Sequence, residues 1–360
     1  MSFTKYAIIG CGAMGKEHIQ NVALLENAEV VALCDNHQQS IDSCFEILNE
    51  KIPAFYNHED LLNANLADVY IIATPNYTHI NILKDVVKSK AHLLIEKPLC
   101  TTVKDCLRLK QLTKDYPSVI WTAMEYRYMP PVAKFIKKIH AGAIGNLKML
   151  TIREHRHPFL EKVRDWNRFK INTGGTLIEK CCHFFDLMRH ITKSEAVRVY
   201  SSGGQDVNHL TEKYDGKTPD IIDNAFVTVD FENGIRAFLD LCMFVENSTL
   251  QEEICGVGDR GKIETGVPSY LSQKSESELK LRIRNSNLET ITKIKVDQRL
   301  LDAGHHHGST YFEHIAFLKA VRENLEPDVS LDDGLKAVAI GQAAELSLNE
   351  KRSVLIKEVI

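Results

Sequence analysis

Apolar and polar positions follow one rhythm up to about residue 123 and another beyond it. In the first part, short apolar runs alternate with longer amphipathic stretches. Lys5–Gly10 reads as a strand, Ala13–Leu25 as a helix, Glu29–Cys34 as a strand and His37–Asn49 as a helix. Ala54–Tyr56 reads as a short strand, Ala67–Ala73 as a buried strand and Thr78–Ser89 as a helix. His92–Glu96, Val103–Asp115 and Ser118–Ala123 read as strand, helix and sixth strand. Strands alternating with helices predict βαβ units in a parallel sheet, with right-handed crossovers placing helices on both faces.

After Pro130-Pro131 the rhythm changes. Ala133–His140 and Thr176–Thr192 read as helices. Between them lies a strand carrying Arg153, His155 and Arg156. From Val197 to about Val296 strands follow one another without helices: Ala225–Phe231, Arg236–Met243, Glu252–Gly256, Leu279–Arg284 and Glu289–Lys295. Such a run predicts an open, mostly antiparallel sheet. The polar segment Asp206–Thr218 reads as a loop. Tyr311–Asn324 and Asp333–Leu348 read as closing helices that can pack on either part. The expected fold class is therefore α/β in two domains. Residues 1–123 form a doubly wound parallel sheet, and residues 124–360 form an α/β domain with a large open sheet.

Composition narrows the function classes. The 360 residues suffice for two domains, and 44% hydrophobic with 26% charged residues is ordinary for a globular protein. A net charge of −4 gives no reason to expect nucleic acid or an anionic membrane as partner. The nine cysteines include no CxxC pair, and the apolar run Ala7–Ile9 is too short for a signal peptide. No apolar stretch reaches the roughly 20 residues that span a bilayer. A reduced, cytoplasmic protein is expected.

Chemistry enters at Gly10-Cys11-Gly12-Ala13-Met14-Gly15, a GxGxxG motif that follows a strand and opens a helix. The first glycine permits the tight turn, the second lets a pyrophosphate approach the backbone, and the third allows close helix–strand packing. The helix N-terminus offers free N–H groups to the phosphates. Asp35 lies 20 positions after Gly15, at the end of the second strand. It can accept hydrogen bonds from adenosine ribose hydroxyls and would repel a 2′-phosphate, which favours NAD over NADP; otherwise it caps the next helix. Ligands bind outside the carboxyl ends of such strands. Thr74 and Asn76, with Pro75 between them, therefore become cofactor candidates; the plainer reading is a loop in which Thr78 starts a helix. Glu96-Lys97-Pro98 ends the fifth strand.

Four segments carry a resemblance: 10–15, Ala73–His79, Glu96–Pro98 and Gly174–Asp186, together with the stretch Phe317–Val354 and its Asp333-Gly334 pair. In these the chain resembles the Gfo/Idh/MocA family, named for glucose–fructose oxidoreductase and inositol dehydrogenase. The resemblance implies a Rossmann domain followed by an α/β domain with a large open sheet. It implies NAD(P)-linked oxidation of a hydroxyl on a sugar, cyclitol or related polyol, and a homodimer or homotetramer joined through that sheet. It also implies that Thr74, Pro75, Asn76, His79, Glu96 and Lys97 line the cofactor cleft. The family includes glycosidases that oxidise and re-reduce transiently, and dinucleotide-sensing regulators that dispense with the catalytic lysine. Lys97 and His183 are both present here.

Oxidising an alcohol needs a proton acceptor within hydrogen-bond reach. His183 is the candidate. Read as one helix, 176–192 puts Glu179, His183 and Asp186 on one face among Leu177, Ile178, Cys181, Cys182, Phe184 and Phe185. A polar stripe on such a buried helix needs partners or a cavity. The competing reading is a core histidine bonded to Asp186; the resemblance tips the balance to catalysis. Family members usually carry Asp where Glu179 stands. Lys97 can hold the substrate hydroxyl and stabilise developing alkoxide charge, or join a proton relay if desolvation lowers its pKa; otherwise it pairs with Glu96. Lys180 lies off the stripe and either reaches a substrate oxygen or is solvated. Weaker substrate candidates are Arg127, Tyr128, Arg156, Trp166 and His306 of the run His305-His306-His307. For Trp166, packing is the safer reading. No metal is expected, because neither Cys181-Cys182-His183 nor the three histidines has ligand spacing.

Overall fold

The computed structural model describes residues 3–272 and 274–360. The first part forms β1 (Thr4–Ile9), α1 (Ala13–Val22), β2 (Ala28–Cys34), α2 (Gln38–Leu48), β3 (Ala54–Phe55), α3 (His58–Ala64), β4 (Val69–Ile72), α4 (His79–Val86), β5 (His92–Glu96), α5 (Val103–Leu112) and β6 (Ile120–Ala123). The strands make a six-stranded parallel sheet in the order β3-β2-β1-β4-β5-β6. The order reverses between β1 and β4, so their carboxyl ends open a crevice at Gly10 and Ala73, where such sheets bind ligands. Helix α3 escapes the apolar rhythm because it buries only Leu61. The Asn57 side chain starts it by accepting from Asp60 N at 2.8 Å.

The second part continues with α6 (Pro130–His140), β7 (Leu147–His155), α7 (Lys170–Thr173), α8 (Thr176–Glu179), α9 (Cys182–Thr192), β8 (Ala196–Gly204), β9 (Asn224–Phe231), β10 (Arg236–Cys242), β11 (Leu250–Gly258), β12 (Gly261–Pro268), β13 (Glu276–Ile283), β14 (Glu289–Lys295), α10 (Gln298–Asp302), α11 (Ser309–Glu323), α12 (Leu331–Glu350) and β15 (Val354–Leu355). Its nine strands form one sheet in the order β14-β13-β12-β11-β7-β10-β9-β8-β15. Among the described residues, only β7 and β10 pair in parallel within it. Alternate residues of β9 enter the core beneath the sheet, and the others face outward. The inward face packs on Phe135, Phe184, Phe185 and Met188 from α6 and α9.

Helices α11 and α12 do not belong to one part alone. Phe317 and Leu318 of α11 enter the core of the first sheet. Leu335, Val338 and Ala339 of α12 do the same on that sheet's other face, while Ile340, Ala343 and Ala344 pack in the second core. Ser330 and Asp333 start α12 with a reciprocal capping box. Among the described residues, no helix is long and apolar enough to cross a membrane.

One expectation needs correction. The segment 176–192 is not a single helix. It breaks at Lys180-Cys181, where Cys181 N donates to Thr176 O, five residues back, at 3.3 Å. The register that aligned Glu179 with His183 does not run across this break.

Candidate active site

The glycine motif adopts the geometry its residues require. Gly10 has a φ of +103°, and a Cβ there would strike the Ala73 carbonyl. A Cβ on Gly15 would strike the carbonyl of Gly10, so helix and strand touch where only glycine allows it. A Cβ on Gly12 would meet nothing within 4 Å; the motif is open there, on the side a pyrophosphate would approach. Ala13 is exposed and Met14 half-buried at the free end of α1. Asp35 accepts from Cys11 N at 2.7 Å and from His37 N at 2.8 Å. It is thus fixed beside the glycine loop, and it is not the N-cap of α2; that position is His37, whose side chain lies 3.0 Å from Ser40 Oγ and makes no capping bond to the helix backbone.

Across the crevice, Thr78 Oγ1 donates to Thr74 Oγ1 at 2.7 Å and lies 2.6 Å from the carbonyl of Pro75. Asn76 is buried with its Nδ2 unpartnered, a donor left for a ligand. His79 is buried outright. Its Nε2 lies 3.0 Å from Thr74 O and its Nδ1 3.1 Å from Pro98 O, so the ring ties the end of β4 to the end of β5. Glu96 also turns inward: its Oε1 lies 2.9 Å from His18 Nε2, and His18 Nδ1 lies 2.9 Å from His314 Nε2. The open glycine loop, the fixed Asp35 and the orphaned Asn76 donor fit a dinucleotide. His79 and Glu96 instead hold the crevice in shape.

Lys97 bridges to the second part, its Nζ donating to the Glu179 carbonyl at 3.3 Å. Burial pulls its pKa down, but Cys182, Glu125, Glu179 and Glu96 outweigh that and hold it above the usual lysine value. Lys97 is therefore a cation, and desolvation does not make it a base. His183 is the opposite case. Burial, joined by the positive field of Lys97 and Lys180, drives its pKa well below the usual value and keeps the ring neutral. That ring stacks on Tyr126, centroids 4.1 Å apart and planes 6° apart. Its Nε2 lies 3.5 Å from Glu125 Oε1, and its Nδ1 is buried without a partner. Glu179 Oε2 is likewise buried without a partner, and burial raises its carboxyl.

Asp186 does not bond His183. It accepts two hydrogen bonds from Arg127, Nε to Oδ2 at 2.6 Å and Nη2 to Oδ1 at 2.5 Å. Arg127 Nη1 also donates to Asp328 O. Arg127 is thus consumed by an ion pair, and the Tyr128 ring packs near Trp121 in the first core. Trp166 lies edge-on to Tyr77, ring centroids 6.2 Å apart. Lys180 is buried; it donates to Tyr126 Oη at 2.5 Å and lies 2.9 Å from Glu154 Oε1. Arg156 Nη1 stands 3.7 Å from the same oxygen. His306 Nδ1 lies 2.8 Å from Glu17 Oε1, with its Nε2 3.9 Å from Glu125 Oε1. Arg153 is paired with Glu253 on the outer face of the sheet. Among the described residues, the group that could hold a metal is His58, Glu59 and Asp85, apart from Cys182 and the histidine run.

Three acids at the site have no counterpart in the sequence reading: Glu125, Glu154 and Glu252. Glu154 follows Leu150 and Ile152 in core phase along β7, and Glu252 precedes Ile254 in core phase along β11. A charge in core phase was the signal that could have found them. Glu154 and Glu252 face each other across the ladder. Burial pushes Glu252 up to about 7, and Glu154 adds to the shift. A carboxyl raised above its ordinary 4.5 supports folding below that value and loses the contribution as pH rises through about 7. Glu252→Gln is therefore expected to exceed the wild type in stability by up to ~3 kcal/mol at about pH 8, and to gain nothing at about pH 4. Urea unfolding at both pH values checks this; an equal gain at both would contradict it.

Residues 4–124 match the model of an oxidoreductase family with an NAD-binding Rossmann fold, and residues 136–356 match the C-terminal alpha/beta domain of the same family. The chain is 26% identical over 367 aligned positions to a myo-inositol 2-dehydrogenase of Thermotoga maritima, covering 99% of each chain. It superposes on a levoglucosan dehydrogenase complexed with NADH and levoglucosan at a TM-score of 0.82, with 19% identity, over 99% of this chain and 100% of that one. It superposes on an Agrobacterium radiobacter oxidoreductase, in complex with NAD+, L-tartaric acid and magnesium, at 0.84, with 16% identity and full coverage of both. The glycine crevice and both sheets agree with these matches, and the chain belongs to the Gfo/Idh/MocA family of oxidoreductases.

Proposed function

We propose that the protein is an NAD-dependent dehydrogenase that oxidises a secondary hydroxyl of a sugar, an inositol-like cyclitol or a related polyol. The observation that carries this reading is the joining of a cationic Lys97 to the segment bearing a neutral, partnerless His183 Nδ1, at the carboxyl end of the cofactor sheet. Gly10, Gly12, Gly15, Asp35 and Asn76 would hold NAD, and the bound nicotinamide supplies the hydride acceptor. His183 takes the hydroxyl proton. Lys97 donates a hydrogen bond to the oxygen and stabilises its negative charge as the proton leaves. Glu179 and Lys180 offer an acceptor and a donor to neighbouring hydroxyls. The division of the chain near residue 123 assigns the cofactor to the first part and the substrate wall to the second. The relatives support this class of substrate: one is a myo-inositol 2-dehydrogenase, another a levoglucosan dehydrogenase.

The test is a panel of cyclitols and sugars assayed with NAD and with NADP. At least one polyol is expected to be oxidised, with NAD preferred by about tenfold or more because Asp35 repels a 2′-phosphate. A preference for NADP would overturn the role of Asp35. Glycoside cleavage with no net change in reduced-nicotinamide absorbance would replace the dehydrogenase reading with a glycosidase. The outer face of the second sheet exposes Met149, Tyr200 and Phe226, the last stacked on Phe238. We assign this apolar surface to a second copy of the chain, in a dimer or tetramer that light scattering would detect.

A further inference from the structure

We propose that Glu125 is the proton exit of the site, a buried carboxylate that receives the proton from His183 and hands it to His306 at the edge of the cleft. The inference rests on the dehydrogenase reading above. One oxygen carries the geometry: Glu125 Oε1 lies between two imidazole nitrogens, 3.5 Å from His183 Nε2 and 3.9 Å from His306 Nε2. Both Glu125 oxygens are buried without a hydrogen-bond partner. A buried carboxyl left so is costly unless it is used.

The two rings are set for transfer. Glu17 fixes His306 through Nδ1 at 2.8 Å, which leaves Nε2 to face Glu125. The His306 side chain retains 22% exposure, whereas His183 and Glu125 retain 1% each, so the path runs from the interior towards water. Glu125 is also faced by Lys97 and Glu96 from the end of β5 and by Glu313 from α11. His306 is faced by Glu17, Glu125 and Lys180. Burial pushes Glu125 up to about 7, with Glu96 adding to this and His306 and Lys97 opposing it, so the group both takes and releases a proton near neutrality.

Each turnover then moves one proton and no electrons along the wire. The hydroxyl O–H bond breaks, and its proton joins His183 at Nδ1. The Nε2–H of the same ring passes to Glu125, and the Glu125 proton passes to Nε2 of His306, which releases it to water. The carbon-bound hydrogen leaves separately as hydride. The first tautomer of His183 returns after the product leaves, when Nδ1 gives its proton to water in the emptied cleft and Nε2 takes one back along the same path, so that one proton per turnover reaches solvent.

Glu125→Gln keeps the size of the side chain and removes the titration; His306→Gln is the second variant. In both, kcat for a polyol is expected to fall by about tenfold or more with KM little changed. The solvent deuterium isotope effect on kcat should rise, and added imidazole should restore part of the rate. Independently of turnover, NMR titration of 15N-histidine in the unliganded protein should show the midpoints of His183 and His306 moving in Glu125→Gln. An undiminished kcat overturns the proposal, as does a loss that imidazole does not restore at an unchanged isotope effect. Unmoved histidine midpoints overturn it as well. A wild type that oxidises no polyol sinks the dehydrogenase reading instead, and the histidine titration still decides whether Glu125 couples the two rings.

Discussion

Replacing Lys97 with alanine is expected to lower polyol turnover by about a hundredfold or more while the protein stays folded and still binds NAD. The side chain stands at the end of β5 and reaches the carbonyl of Glu179, so it joins the cofactor sheet to the segment that bears His183. It is positive because Cys182, Glu125, Glu179 and Glu96 together outweigh its burial. An alcohol losing its proton becomes an alkoxide, and a preorganised cation favours that state over the neutral ground state. Alanine removes the donor and also takes away one of the positive charges near Glu125 and Glu179. Both carboxyls are already disfavoured as anions by burial, and they would then hold protons more tightly. Steady-state kinetics, with nicotinamide fluorescence to monitor cofactor binding, provide the measurement. Near-normal turnover in a folded Lys97→Ala protein would sink the assignment.

The second large effect falls on stability. Asp186→Ala is expected to cost roughly 3–5 kcal/mol, the usual result of breaking a buried ion pair by removing one partner. Asp186 is wholly buried, Arg127 is 7% exposed, and two short hydrogen bonds join them. The variant would strand a guanidinium with the Asp328 carbonyl and the more distant Asp333, 3.4 Å away. The pair also clamps the turn carrying Glu125 and Tyr126 to helix α9, which carries His183. Urea unfolding measures the cost. A loss below about 1 kcal/mol would show that the interior relaxes around Arg127 or admits water to it.

The first sheet was legible because β1, β2, β4 and β5 are short apolar runs each followed by an amphipathic helix, and because the three glycines follow β1 directly. Helix α3 was not, since one buried leucine makes no period. Strands β8 and β12 were missed for another reason. Gly203-Gly204 and Gly261 with Gly266 dilute the β signal, and cross-strand pairing, not propensity, makes these segments strands. The site was legible where residues sit at strand ends, as Asp35 and Lys97 do. It was not legible where a partner comes from far along the chain. Spacing pointed Asp186 at His183, yet Arg127, 59 positions away, holds it. Glu125 follows β6 with no periodic mark, and its meaning comes from His183 and His306, which the fold brings to it.

Helix α12 has a consequence for how the molecule comes apart. Its early residues complete a face of the first sheet and its later ones sit in the second core, while α11 covers the other face of the first sheet. The cofactor unit is therefore discontinuous in sequence: residues 4–123 supply its strands, and the last fifty or so residues supply part of its cover. Neither half can melt without stripping apolar surface from the other, so the two halves are expected to unfold together in a single urea transition. A fragment cut after β6 would be left with Trp121 and Leu335's former neighbours facing water.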